Sequence, residues 1–188
     1  MGLGAKQLIM SELLQTPSQT VGPFFAYSLT PEPYNYDFKS IITGDMVSED
    51  KIGNHIQIVG QVIDGKGEPI SDAMIEFWQP DIKAIGRVGT GTDAKSRFIF
   101  NTIKPQSVDG QAPHISVIIL MRGLLVHAYT RLYFSDETAA NETDEVLQSV
   151  PEERRNTLIA EKTDKSGQTI YTFNIIMQGD NETVFFDV

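Results

Sequence analysis

His55, His114 and His127 are the residues to weigh first as metal ligands or general bases. They fall in or beside different stretches of alternating hydrophobicity. None shares an i, i+2 or i, i+4 spacing with another ligand-type side chain on a clear metal template. The residue two beyond His114, on the same side of an extended segment, is Ser116, and a serine hydroxyl is a poor transition-metal ligand. A partly buried histidine bonded to backbone is therefore the favoured reading of His114. Carboxylates cluster in residues 136–145 and at Glu152 and Glu153, where solvated loop and helix faces account for them better than paired acid–base work. With no cysteine in the chain, disulfides, thiolate-ligated metals and thiol nucleophiles are excluded. No nucleophile-elbow, phosphate-loop or dinucleotide fingerprint occurs. Gly86, Gly89 and Gly91 read as turn glycines without a basic partner.

Arg122 is the side chain with the most chemical promise. It ends the apolar run of residues 115–121 and precedes Gly123. A guanidinium at the mouth of a sheet can hold a carboxylate through two parallel hydrogen bonds. The competing reading is a surface arginine paired with one of many nearby acids. On residue types alone, the chain has no self-contained active site.

The elements that must position these groups are mostly short strands. In residues 55–62, Ile56, Ile58 and Val62 alternate with Gln57 and Gln61, the pattern of a half-buried strand. Asp64-Gly65-Lys66-Gly67 then supplies turn chemistry. Residues 73–78 alternate again until Gln79-Pro80-Asp81 stops them. Further strands are expected over 97–101, 115–121, 125–134, 168–177 and 183–186. Two helices are expected, one over 136–140 capped by Ser135 and one over 151–160 opened by Pro151. Residues 1–15 read as a partly helical arm. The proline-rich, aromatic stretch up to Asn54 reads as irregular and draped over a neighbouring surface. The expectation is an all-β fold: a β-sandwich of mainly antiparallel strands over 55–188, with an irregular N-terminal arm (1–54) and one or two short helices. A barrel is the alternative.

The 188 residues, 40% of them apolar, suffice for one domain. Lys and Arg number 15 against 25 Asp and Glu, a net charge of −10. That excess disfavours nucleic acid and anionic membrane surfaces as partners, and makes a local cation necessary for holding an anionic substrate. No apolar run approaches the ~20 residues of a membrane span. Residues 1–6 have no signal-type apolar region, so a cytoplasmic protein is expected.

Several motifs, in order along the chain from about Ser11 to the end, carry a specific resemblance. They are Thr16-Pro17-Ser18-Gln19-Thr20-Val21-Gly22-Pro23, Ile75-Glu76-Phe77-Trp78-Gln79-Pro80-Asp81, Asn101-Thr102-Ile103-Lys104-Pro105, Ala112-Pro113-His114-Ile115-Ser116, Thr130-Arg131-Leu132-Tyr133-Phe134-Ser135-Asp136-Glu137 and the C-terminal run 178–188. Together they resemble the alpha subunits of the protocatechuate 3,4-dioxygenases, in the intradiol ring-cleavage dioxygenase family. The resemblance implies an enzyme built from alpha and beta chains of one sandwich fold, arranged as a higher hetero-oligomer. Its beta chain holds a non-haem ferric ion, Fe(III), through two tyrosines and two histidines. Here the beta chain's His-Ile-His becomes His114-Ile115-Ser116 and one ligand tyrosine becomes Val108. The loop carrying the other tyrosine is largely missing between Asp81 and Arg87. One neutral imidazole cannot hold Fe³⁺ against hydrolysis, so no metal and no catalytic residue is assigned to this chain.

By the same resemblance, Thr20, Gly22 and Pro23 lie along a substrate pocket at the alpha–beta interface, and Arg122 points towards the substrate end. Phe24 replaces the tyrosine usual at its position, which alters the pocket's polarity. A rigid turn that docks the arm is the competing reading for Thr20, Gly22 and Pro23. The implied reaction is cleavage of 3,4-dihydroxybenzoate by O₂ to 3-carboxy-cis,cis-muconate, a step of aromatic catabolism in the beta-ketoadipate pathway. The alternatives are a non-catalytic scaffold of the same fold and a homomeric enzyme with an unusual iron site.

Overall fold

The computed structural model describes residues 19, 20, 22 and 25–187. The helical arm expected over 1–15, together with Pro23 and Phe24, lies outside the described residues.

Alternation along β1 (His55–Ile63) buries Ile56, Ile58 and Val62 and leaves the intervening side chains half exposed. β1 lies at the centre of one sheet. It pairs antiparallel with β4 (Arg97–Ile103), where Ile58 faces Phe100, and parallel with β8 (Gln168–Thr172), where Ile58 faces Tyr171. β7 (Ile159–Lys165) adds antiparallel to β8, and the short β9 (Ile175–Ile176) continues beside the end of β1. The second sheet runs β3 (Ala84–Gly89), β2 (Met74–Gln79), β5 (His114–Leu120) and β6 (Ala128–Phe134), all antiparallel. Two parallel pairs, Tyr133 with Ile159 and Phe134 with Ala160, join β6 to β7 and make the two sheets continuous along one edge. At the other edge no ladder joins β3 to β4 among the described residues. Residues 43–46 fill that gap: the Arg87 amide donates to the Thr43 carbonyl and the Asn101 amide to that of Gly44. The sandwich expectation holds, and the barrel alternative is approached only at this stitched edge.

The core lies between the sheets. Phe77 from β2 stacks on Phe100 from β4 at 3.8 Å between ring centroids, with Phe98 edge-on to Phe77 at 5.9 Å. Full burial of such a ring removes enough apolar surface to stabilise by about 2–3 kcal/mol. Close packing against the main chain, by backbone at one position and by side chains at the other, dictates two glycines. A Cβ on Gly60 would sit 1.7 Å from the Phe173 carbonyl oxygen, and one on Gly86 would sit 2.6 Å from Met46 and 2.8 Å from Phe100.

Several sequence expectations are corrected here. Gly86 and Gly89 belong to a strand, β3, rather than to a turn. The 168–177 strand is split because Gly60 and Gln61 are met by Phe173 and by the Asn174 side chain, which accepts the Gln61 amide and replaces the ladder. Residues 183–186 form no strand. Thr183 donates to Ile176 and Phe186 to Tyr129, single bonds to different strands rather than one ladder. β6 starts at Ala128 because residues 124–127 turn out into solvent, exposing Leu125 and Val126.

Ser135 does not cap a helix. Its hydroxyl accepts the Lys162 amide, and α2 (Thr138–Asn141) starts beyond it with no side-chain cap; α1 (Phe25–Leu29) precedes it in the chain. Pro151 opens a 3₁₀ stretch, Glu152–Leu158, which gives way to β7 where Ile159 and Ala160 are taken up by β6. Between them α3 (Glu145–Ser149) is capped by Asp144.

Candidate functional site

Arg122 follows β5 in a tight turn in which the Leu124 amide donates to the Met121 carbonyl and Gly123 adopts φ 91°. Its side chain is 66% exposed, and its Nε–H donates to Oδ2 of Asp72, just ahead of β2. The two residues form one side of a 220 Å³ cavity whose other walls are Phe25 and Tyr27 from α1 and Tyr34 from the following 3₁₀ turn. Tyr27 and Tyr34 meet edge to face at 4.6 Å. Burial, then the Asp72 charge, raises the Tyr34 phenol above its ordinary range, while Arg122 works the other way. Tyr34 thus stays a neutral hydroxyl at physiological pH. One cation, one carboxylate and three aromatic walls give a cleft able to take a flat anionic ring.

Of the sequence-derived site residues that the structure describes, only Arg122 lines this cavity. Thr20 is exposed and Gly22 half-buried at φ 72°, and neither is among the described lining residues. Asp72, Phe25, Tyr27 and Tyr34 escaped sequence reasoning. Asp72 stands in a turn with no motif, and α1 is too short for periodicity to reveal. Arg122 does pair with a surface acid, as the competing reading required, and that pair lines the cavity.

His114 lies on the outer face of β5. It is buried, with Nδ1 2.8 Å from the Ala112 carbonyl oxygen, and desolvation lowers its pKa, so the ring is neutral at pH 7. The backbone-bonded reading of this histidine holds. Ser116, two residues on, has its Oγ 3.1 Å from the Tyr129 hydroxyl. Val108 sits in a turn closed on Gln111, and residues 80–83 make a tight connection from β2 to β3. His55 is exposed and contacts the Lys51 carbonyl. Among the described residues no group of three or more His, Cys, Asp or Glu side chains could hold a metal ion. The donor set at His114 does not fit a ferric ion.

The carboxylate run is not uniformly solvated, a correction to the sequence expectation. Asp144 is fully buried and accepts hydrogen bonds from the Ala112 and Leu147 amides, both at 2.8 Å, and from the Tyr133 hydroxyl at 3.0 Å. Asp136 receives Lys104 Nζ at 2.7 Å and the Tyr171 hydroxyl at 2.9 Å. Lys104, itself only 9% exposed, also reaches Glu137 at 3.1 Å and lies 4.5 Å from the Phe134 ring centroid. Burial works against the Asp136 charge, but the bonds from Lys104 and Tyr171 prevail and hold its carboxyl down at about 2. Both clusters are structural: neither borders the Arg122 cavity.

The fold is that of the intradiol ring-cleavage dioxygenases. The chain is similar to such an enzyme from Tetranychus urticae, with a TM-score of 0.61 at 18% identity, covering 87% of this chain and 94% of that one. No family model matches. Among curated proteins it is 49% identical to the protocatechuate 3,4-dioxygenase alpha chain of Burkholderia cepacia, over 95% of this chain and 100% of that protein. It is 38% identical to the alpha chain of Pseudomonas putida, over 94% and 98%. Identity to the Burkholderia cepacia beta chain is 28%, over 70% and 68%. The chain belongs to the protocatechuate 3,4-dioxygenase alpha chain family. No helix among the described residues is long and apolar enough to cross a membrane.

Proposed function

We propose that this chain is the alpha subunit of a cytoplasmic alpha–beta hetero-oligomer that cleaves 3,4-dihydroxybenzoate with O₂ to 3-carboxy-cis,cis-muconate, with Fe(III) held by the beta chain. The reading is supported by the cavity at Arg122 in a chain whose own donor set does not fit the metal. Iron in the partner would supply the activation of the dihydroxylated ring for reaction with dioxygen. This chain's part is capture and positioning. Arg122 offers N–H donors to the substrate carboxylate, and the Phe25, Tyr27 and Tyr34 walls exclude water from the ring, which strengthens that charged contact. Thr20, Gly22 and Pro23 would complete the wall where the beta chain closes over it. The acidic surface adds a reason for the arginine, since an anion approaching a chain of charge −10 needs a local cation.

The test is co-expression with the beta chain, oxygen uptake on 3,4-dihydroxybenzoate, and the Arg122→Ala variant. The reading predicts an assembled, iron-replete variant enzyme whose KM is raised about tenfold, the loss of one charged hydrogen-bonded contact. An unchanged KM would remove Arg122 from the site.

A further inference from the structure

We propose that Asp72 is a positioning residue that aims Arg122 at the substrate carboxylate, an inference that rests on the reading of Arg122 given above. The two residues are held very differently. Asp72 precedes Ala73, whose amide donates to Thr90 Oγ1 and whose carbonyl accepts the Thr90 amide at 2.9 Å, with Thr90 fully buried. Its backbone is thereby tied to the sandwich. Arg122 instead sits in an exposed turn beside a glycine at positive φ, and nothing on its own element fixes its long side chain. Asp72 supplies what is missing.

The geometry of the contact matters more than its charge. Asp72 takes the Nε–H, and among the described residues neither Nη group of Arg122 has a hydrogen-bond partner. A carboxylate on Nε restricts rotation of the planar guanidinium while leaving both Nη groups free for a second carboxylate. An ion pair with side chains 66% and 30% exposed adds little to stability, so the fold alone does not account for it. Phe25, Tyr27 and Tyr34 border the same cavity, so a ring carrying that carboxylate would lie against aromatic walls.

Asp72 also places a negative charge near an anionic ligand. Positioning and repulsion have opposite signs, and that makes the idea testable in the assembled, iron-replete alpha–beta enzyme. Asp72→Ala removes both effects. Asp72→Asn removes the charge but keeps an amide oxygen able to accept the Nε–H. KM is measured for 3,4-dihydroxybenzoate, and the inhibition constant for 4-methylcatechol, which lacks the carboxylate. Positioning predicts that Asp72→Ala raises KM about fivefold, with kcat within about twofold and the 4-methylcatechol constant unchanged, while Asp72→Asn stays close to wild type. Asp72→Ser, too short to reach Nε, serves if the alanine variant does not assemble.

If Asp72→Ala lowers KM or leaves it alone while Arg122→Ala raises it, Asp72 is only a like-charged neighbour and the inference fails with the Arg122 reading intact. Equal loss for the acid and the neutral analogue means a structural role and also overturns it. If Arg122→Ala itself leaves KM unchanged, the underlying reading has failed first.

Discussion

Replacing Asp136 by Asn perturbs the charge cluster that ties the end of β4, through Lys104, to the ends of β6 and β8. The Asp136 carboxyl is lowered from 3.8 to about 2 in the folded chain. A shift of that size corresponds to an upper bound of about 2.4 kcal/mol of pH-dependent stability. The side chain is 32% exposed, and water screens part of its attraction to Lys104 and Lys162, so about 1–1.5 kcal/mol is the working figure. Lys104 keeps Glu137 at 3.1 Å in the variant, which spares it the larger penalty of a buried charge left without a partner. Because the folded pKa is depressed, the contribution is complete above the unfolded value of 3.8 and disappears as pH falls from there towards 2. The assay is urea unfolding of wild type and Asp136→Asn between about pH 2 and 6, followed by the fluorescence of Trp78, the chain's single tryptophan. The stability difference should be flat above about pH 5 and shrink below pH 4 by about 1–1.5 kcal/mol. A difference independent of pH over that range, or one that grows on acidification, refutes the reasoning.

Three further substitutions test the fold that carries the site. Gly60→Ala should abolish stable folding or lower the melting temperature by well over ~10 °C, because its Cβ would meet at 1.7 Å the carbonyl of Phe173, a residue held by its buried ring and by its amide's bond to Val59; a melt near wild type contradicts the strand packing. Asp144→Ala leaves two backbone amides and the Tyr133 hydroxyl without their acceptor, an expected loss of about 2–4 kcal/mol in denaturant unfolding, with Asp144→Asn milder. Phe77→Ala opens a cavity where its ring stacks on Phe100 and should cost about 3–5 kcal/mol by the same measurement.

What the sequence revealed follows from which interactions are local. β1 was legible because Ile56, Ile58 and Val62 alternate with polar residues that face solvent. β7 was not, because from Glu161 onward it is exposed on both faces and carries no apolar pattern; its pairing with β8 makes it a strand. Gly86 looked like a turn residue, since nothing near it in sequence announces Met46 and Phe100 pressing on its Cα. Asp144 looked like one more solvated acid, yet the amide of Ala112 lies 32 positions away. The same holds at the site: Arg122 stood out by its place at the end of an apolar run, whereas Asp72, 50 positions earlier, becomes its partner only when β2 and β5 pair.

In the proposed division of labour this chain shapes the pocket and its partner carries the metal. Iron analysis of the separated subunits, read together with their visible absorption, tests it most directly. Near-stoichiometric iron and the phenolate-to-iron colour in the beta chain, with this chain colourless and iron-free, is the predicted result. A ferric ion retained by this chain after separation would contradict the account.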